Sequence, residues 1–462
     1  MQEPDAAQQA LYDIGTVVGL LAQNLFPGGA TISFEEGNFD EKAIRTKRFI
    51  ESGEKTIYEA TFIHDEVLVM VDILHKGPAG WELYEVKAST SVKEIHHDDV
   101  AVQYYVLKGC GINLVKVGLI HINNQYIRRG KLELDQLFVV ADLTETTLKQ
   151  QDQVPENLEV IRAAIQANEP MIDIGPHCGD PYECDFLSHC WAYIPEVSIF
   201  NLTRLNGNKK WELYNQGVVC FEDLPKDYPL TQAQAQQVEA QLEGTQFIDV
   251  ESISEFLKTI WYPLYFLDFE IYQSAVPPFD GLRPYEQIPF QFSLHYQESP
   301  NSELNHNEFL AKEGVDPREP LAQNLVQNIP KEVCVLAYNV GFEKGVIRRL
   351  AEQFPKWAGR LMDIHDNMLD LMAPFRARHV YRKEMNGSYS IKSVLPALMP
   401  ELTYKDLEIQ DGGQASSTYA KLHLVQDKEK VQEIRKNLLA YCKLDTYGMV
   451  KLLDKLAIML SL

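Results

Sequence analysis

Apolar residues recur at helical spacing through residues 5–26 (DAAQQALYDIGTVVGLLAQNLF) and stop at Pro27-Gly28-Gly29, a helix terminator. The chain is therefore expected to open on a helix. Three runs of strand type follow, TIYEATFI, EVLVMVDILHK and WELYEVKAS, separated by His64-Asp65 and Gly77-Pro78-Ala79-Gly80. They predict a meander of three strands. A helical stretch, DDVAVQYYVLKGCG, and a strand-like run, NLVKVGLIHIN, complete the order helix, three strands, helix, strand. From about 125 to 250 the pattern is mostly helical, with LKQQDQVPENLEV and TQAQAQQVEAQLEG at its ends, and reads as a helical appendage and connector. The period changes again at 262, where YPLYFLDFE, IPFQFSLHYQ and KEVCVLAYN read as strands, and GFEKGVIRRLAEQF and NLLAYCKLDTYGMVKLLDKLAI as amphipathic helices. This is an α/β pattern in two parts, without a fixed-period repeat.

A length of 462 residues fits two or three domains and excludes a small stapled scaffold. With 45% hydrophobic and 24% charged residues there is no room for wholesale disorder. No stretch reaches the ~18 to 20 apolar residues of a membrane span. The start, MQEPDAAQQ, lacks a basic region followed by an apolar one, so the expectation is a cytoplasmic protein with no membrane partner. Lys and Arg number 43 against 66 Asp and Glu, a balance of −23. Charge alone counts against nucleic acid, whose binders usually carry the opposite sign.

Local chemistry changes that picture. Asp268 and Glu270 stand i, i+2 in FLDFE, so both carboxylates share a strand face, among Phe266, Leu267, Phe269 and Ile271. Two acids on a buried strand are costly unless a cation holds them. YNVGFEKG adds Glu343 after a strand-to-helix turn, where Asn339 is as readily a turn residue as a positioning one. YCKLD adds Tyr441 and Asp445, i, i+4 on one helix face, a carboxylate with a phenol beside it. Oxygen-only donors suit magnesium or manganese.

With these pieces in place the C-terminal part resembles the DEDD superfamily of 3′-5′ exonucleases, DnaQ-like domains with an RNase H-like fold. FLDFE is similar to the first motif, YNVGFEKG to the second and YCKLD to the third, in its tyrosine-bearing variant. FLDFE, GSYSIKSVLPAL and YCKLDTYGM resemble more closely a bacterial family filed as domain of unknown function 2779, from about residue 262 to 458. The resemblance implies that Asp268, Glu270, Glu343 and Asp445 hold two divalent ions and that Tyr441 positions the attacking water. Glu343 departs from the superfamily's usual aspartate by one methylene, which keeps the charge and changes the reach.

In the first part, Asp72 falls in the middle strand of the meander, and Glu85 and Lys87 stand i, i+2 in EVKAS on the next. Alone, an acid beside a lysine is an ordinary surface pair. The element order with these residues in place resembles the PD-(D/E)xK nuclease core in its RecB-like branch, which includes CRISPR-associated exonucleases. That resemblance implies that Asp72 and Glu85 bind a magnesium and that Lys87 polarises water or stabilises phosphoryl charge. It also implies that Gln103 begins a Gln-x-x-x-Tyr signature, whose tyrosine position here is Leu107; Tyr104 and Tyr105 do not match it by spacing. Glu59, in IYEATF, is either a further acid near the metal or a solvated strand residue.

Cys178, Cys184 and Cys190, each separated by five residues, leave three readings open: reduced thiols, zinc aided by His177 or His189, or an iron–sulfur cluster. The RecB-like nucleases that the region resembles hold a four-iron cluster with three such cysteines and one far upstream. This chain has no cysteine before Cys110, so the fourth ligand is expected to be missing from a chain that starts at about the first helix of that fold.

The expectation is thus a restriction-endonuclease-like PD-(D/E)xK core with a cysteine cluster over 1–195, a helical connector over 196–258, and an RNase H-like, DnaQ-type domain over 259–462. Its expected function is metal-dependent hydrolysis of phosphodiester bonds, in DNA before RNA, with a 3′-5′ exonuclease site in the C-terminal domain and a second site in the N-terminal one. The alternatives are a nucleic-acid-binding or scaffold protein with impaired sites, or a chain in which one domain cuts. Metal-binding acids absorb part of the −23. The rest predicts weak, metal-dependent binding at local basic surfaces, Lys42 to Arg48 or Arg376 to Lys383.

Overall fold

The computed structural model describes residues 6–35 and 37–460, so Asp5, the first residue of the predicted opening helix, lies outside the described residues. The chain forms two compact units. One runs up to Asp173 and takes in Gln273–Glu286; the other comprises Ile174–Tyr272 and continues from Gln287. The architecture is mixed α/β with three sheets among the described residues. No described helix is long and apolar enough to cross a membrane.

The first unit is built on a six-stranded sheet in sequence order: β1 (Ala30–Thr31), β2 (Thr56–His64), β3 (Val67–Lys76), β4 (Trp81–Lys87), β5 (Leu114–Ile122) and β6 (Phe138–Asp142). β2, β3 and β4 form the expected antiparallel meander. β5 runs parallel to β4, which requires a crossover, and the helix Glu94–Gly109 supplies it. β6 lies in the stretch that the sequence reads as mostly helical. Its FVVAD run buries Phe138 and leaves Val139 and Val140 exposed, so it lacks the alternation that marks a half-buried strand. Each face of the sheet has its own core. Val18 and Ala22 of the helix Ala6–Ala22 pack with Tyr58, Ile73 and Tyr84, and Val100, Val106 and Leu107 of the crossover helix pack with Val71, Leu83 and Leu119.

A parity break runs through β2 and β3. Ile57 and Ala60, three apart, share one core while Tyr58 belongs to the other; Val71 and Leu74 repeat the pattern, with Ile73 on the far side. A regular strand with period two forbids this. The break coincides with Glu59, whose φ of +57 is left-handed, and with Asp72 on the neighbouring strand.

The second unit contains β7 (Phe247–Ile248), β8 (Leu264–Tyr272), β9 (Ile288–Gln297), β10 (Asn305–Leu310), β11 (Cys334–Ala337), β12 (Met368–Asp370) and β13 (Val380–Tyr381). Five strands form a sheet in the order β10-β9-β8-β11-β12, and β7 pairs with β13. β8 is central, antiparallel to β9 and parallel to β11. The polar edge strand β10, NHNEFL, and the three-residue β12 carry too little apolar pattern to be read from the sequence. Leu321, Leu325, Ile347, Leu350 and Leu361 cover one core against Tyr265, Leu267 and Val335. The 32-residue helix Lys428–Met459 packs on β8 and β9, where Thr446 Oγ1 meets Ser293 Oγ at 2.7 Å and His295 Nδ1 at 2.8 Å. The segment after Ile174 folds within this unit. Trp191, just past the cysteines, packs at 4.7 Å on Phe200 and 5.8 Å on Trp211, so the cysteine segment belongs to this unit and not to the first part, with which the sequence groups it.

Residues 273–286, between β8 and β9, return to the first unit. There Arg128 Nη1 donates to the carbonyls of Pro277 and Pro278 at 2.9 and 2.8 Å, and the Tyr285 hydroxyl donates to the Ala88 carbonyl.

Candidate functional site

In the second unit, β8 brings Asp268 and Glu270 to the face covered by the long helix, and that helix contributes Tyr441, Cys442 and Asp445. Ligand atoms of Asp268, Glu270 and Cys442 lie within 4.8 Å of one another, with Cys442 Sγ 3.6 Å from Asp268 Oδ2. Glu343 enters from the first turn of the helix Val340–Gln353 and is 2% exposed; Glu270 is 7% and Asp445 6% exposed. The sequence-derived carboxylates thus converge in one buried pocket.

Their electrostatics follow from burial and mutual repulsion. Burial, then the Asp445 charge, pushes Asp268 well above the usual carboxylate range. Burial, then Asp268 and Asp445, does the same to Glu270; burial and then Asp268 act on Glu343. Burial raises Asp445 to about 6, against the Tyr404 hydroxyl, which donates to its Oδ1 at 2.6 Å, and against Lys392 and Tyr441. Glu343 Oε2 is buried without a hydrogen-bond partner. An orphaned carboxylate oxygen beside other acids is what a hard divalent cation satisfies, and the carboxylate donors fit magnesium or manganese. Burial, then the charges of Asp268 and Glu270, pushes the Cys442 thiol well above its ordinary range, and the thiol donates towards Asp268 Oδ2.

Sequence reasoning missed Lys392, Tyr404 and Cys442. Lys392, on the helix Ile391–Leu398, places its Nζ 5.2 Å from the Tyr441 ring centroid and 5.5 Å from that of Tyr404, and its charge favours ionised Asp268, Glu270 and Asp445. The only available signals were its place in GSYSIKSVLPAL and that of Cys442 inside YCKLD. Asn339 is a turn residue at φ +73 whose backbone N–H donates to Asp370 at 3.2 Å; its side chain makes no cap bond. Gly412 begins a helix over the pocket, where a Cβ would stand 3.6 Å from Glu270 Oε2 and 3.9 Å from the Tyr441 hydroxyl.

In the first unit, Asp72, Glu85, Lys87 and Gln103 also come together. Lys87 Nζ lies 2.7 Å from both Glu85 Oε1 and Asp99 Oδ2, and Gln103 Nε2 donates to Glu85 Oε2 at 2.7 Å. Asp72 Oδ2 accepts the Val86 N–H at 2.6 Å. Burial, then mutual repulsion, raises the pKa of Glu85 and of Glu59; burial and the Glu59 charge raise that of Asp72 despite its hydrogen bond. Glu59 therefore belongs to the cluster, and so does Asp99, an i, i+4 neighbour of Gln103 that the charged EIHHDD stretch concealed. Leu107 is fully buried in the core, and Tyr105 donates outward to Asp65 at 3.0 Å.

The three cysteines are free thiols: Cys178 buried, Cys190 half-buried, Cys184 exposed. The Cys184 N–H donates to the Cys178 carbonyl at 2.9 Å, while the three sulfurs do not fall within 4.8 Å of one another. Of the expected basic surfaces, Lys42 is buried, with its Nζ donating to the Phe34 carbonyl, whereas Arg45, Lys47 and Arg48 are exposed.

Residues 265–390 match a family model described as Domain of unknown function (DUF2779). The match spans Asp268, Glu270 and Glu343 and ends before Lys392, Tyr441 and Asp445. The chain is also similar to "Uncharacterized protein MG366 homolog" of Mycoplasma pneumoniae (strain ATCC 29342 / M129 / Subtype 1), at 25% identity over 217 residues, covering 42% of this chain and 32% of that protein. The chain thus spans about a third of the length of that relative. No solved structure matches the chain.

Proposed function

We propose that the chain is a divalent-metal-dependent nuclease whose main cutting site is the carboxylate pocket of the second unit, on an RNase H-like, DnaQ-type exonuclease domain acting 3′-5′. The observation that carries this reading is the convergence of three buried acids, Glu270, Glu343 and Asp445, with the half-buried Asp268, one of them with an orphaned oxygen, beside Lys392. Such a charge excess is costly without a cation. Asp268, Glu270, Glu343 and Asp445 would hold magnesium or manganese, which when bound neutralises phosphoryl charge and eases water deprotonation. Tyr441 orients the water by its hydroxyl, Tyr404 fixes Asp445, and Lys392 offsets negative charge at the open side. DNA is the substrate class we favour, with RNA tested beside it.

In the first unit we read a restriction-endonuclease-like PD-(D/E)xK core. Asp72 and Glu85 are its metal acids, Lys87 is held between Glu85 and Asp99, and Gln103 is anchored on Glu85. Leu107, a core residue where the signature has tyrosine, favours a second reading in which this unit grips the strand and the other cuts it. For the cysteines, whose three sulfurs do not come together as a ligand set, reduced thiols are the reading favoured over an iron–sulfur cluster. Anaerobically prepared protein is then expected to be colourless, and a brown preparation with visible absorbance overturns this.

The deciding experiment follows labelled single- and double-stranded DNA and RNA with Mg²⁺, Mn²⁺ or EDTA. It compares wild type with Asp268→Ala/Glu270→Ala and Glu85→Ala/Lys87→Ala. Loss of cutting by about 10³-fold or more in the first pair is expected. Loss of affinity alone in the second pair would support the gripping role. No degradation of any substrate by wild type sinks the nuclease reading.

A further inference from the structure

A cleft in the second unit runs against the charge of the whole molecule. It encloses about 380 Å³ between the loop Thr203–Arg204, the start of the helix Gln232–Glu243 and the segment Arg376–Arg378. Three arginines line it and no carboxylate does, in a chain whose balance is −23. We propose that this cleft binds a phosphate group of a nucleic-acid strand engaged at the carboxylate pocket; the proposal rests on the nuclease reading.

Four observations point to an anion. Arg378 is 6% exposed, yet its Nη1 has no hydrogen-bond partner; Nη2 donates to the Gly387 carbonyl at 2.6 Å, and the guanidinium lies 4.2 Å over the Tyr381 ring. A buried guanidinium with an idle donor is under-satisfied. Burial works against its cationic form; Tyr381 supports that form, and the charge of Arg204 adds to the opposition. Arg204 is exposed and held at φ +53, stacked 5.6 Å over Tyr389. The helix Gln232–Glu243, capped by Thr231, turns its N-terminus to the same cleft, where the backbone dipole favours negative charge. Arginine forks with a helix N-terminus form a phosphate-binding set.

The cleft also communicates with the carboxylate pocket. Arg376 pairs with Asp370 at 3.1 Å, and the Asp370 charge acts on Glu343. Tyr389, under Arg204, lies three residues before Lys392. A strand whose end sits among the carboxylates would therefore lay a phosphate further along its backbone in the cleft.

The test uses the full-length protein, a labelled single-stranded oligonucleotide and EDTA to prevent cutting, with affinity measured across a salt titration. Arg204→Glu removes one contact. Ala233→Glu places an acid in the cleft while leaving all three arginines intact, which covers the case in which Arg204→Glu fails to fold. Each variant is expected to bind several-fold more weakly, with the slope of log K against log salt shallower by about 0.7. Hydrolysis of a small nitrophenyl phosphodiester, too short to reach the cleft, should stay unchanged; Arg204→Lys should restore most of the affinity. Folded variants that bind with wild-type affinity and slope overturn the proposal while leaving the nuclease reading intact, provided that Asp268→Ala still abolishes cutting. If inorganic phosphate raises the melting temperature of wild type and not of Arg204→Glu, and no oligonucleotide binds or is cut, the cleft takes free phosphate. Strand assignment and nuclease reading then both fall.

Discussion

At Asp445, burial disfavours the carboxylate while the Tyr404 hydroxyl and Lys392 favour it, and the balance leaves its pKa at about 6. The unfolded carboxyl titrates near 4, so the folded metal-free protein holds this proton more tightly. Its contribution to stability is full below pH ~4 and lost as pH rises through about 6, a change on the order of 3 kcal/mol. Thermal melting in EDTA should fall across that window, and Asp445→Asn should flatten the fall. Saturating Mn²⁺ should also flatten it, because a bound cation replaces the proton. By the same logic, Asp268→Asn is expected to raise metal-free stability by about 1 kcal/mol and to abolish stabilisation by Mn²⁺. A variant that melts lower in EDTA and still responds to Mn²⁺ would contradict the cation-holding role. Individual acids were legible in the sequence because alternation on a strand and i, i+4 on a helix fix their faces. Lys392 was not, since it lies 124 residues beyond Asp268 and no local period links the two.

At the scale of elements, the parity break in β2 and β3 does chemical service. It brings Glu59 into electrostatic reach of Glu85 and Asp72, where a regular strand would alternate it by period alone. A left-handed non-glycine residue costs roughly 1 kcal/mol. Glu59→Gly is therefore expected to be about 1 kcal/mol more stable than Glu59→Ala in denaturant unfolding. Equal stabilities would show that the backbone there is not strained. Gly448 of the long helix has a related role. A Cβ there would stand 2.9 Å from Leu395 Cδ2, on the helix that carries Lys392. Gly448→Ala should destabilise by about 1–3 kcal/mol and depress cutting more than binding, as kinetics with matched binding assays would show. The meander and the central strand β8 were readable from alternation, whereas β6, β10 and β12 were too short or too polar to announce themselves.

For the molecule as a whole, an excess of 23 negative charges meets a few local arginine sites. Oligonucleotide binding in EDTA should be weak, with a salt slope equivalent to about two or three phosphate contacts, and should tighten as Mg²⁺ or Mn²⁺ is added. A slope near that of a broad basic track would contradict this distribution. The two units also bear on how such experiments can be arranged. Among the described residues the polypeptide passes between units three times, after Asp173, after Tyr272 and after Glu286. The last two passages flank a loop whose Ala275, Val276 and Tyr285 are packed into the apolar core beside Tyr58 and Tyr84. A fragment starting at Ile174 would carry those side chains bare and adhesive, and a fragment stopping at Asp173 would lose part of a core wall. Division of labour between the two sites is thus open to point substitution in the intact chain and closed to dissection by truncation, because the polypeptide is stitched through both halves.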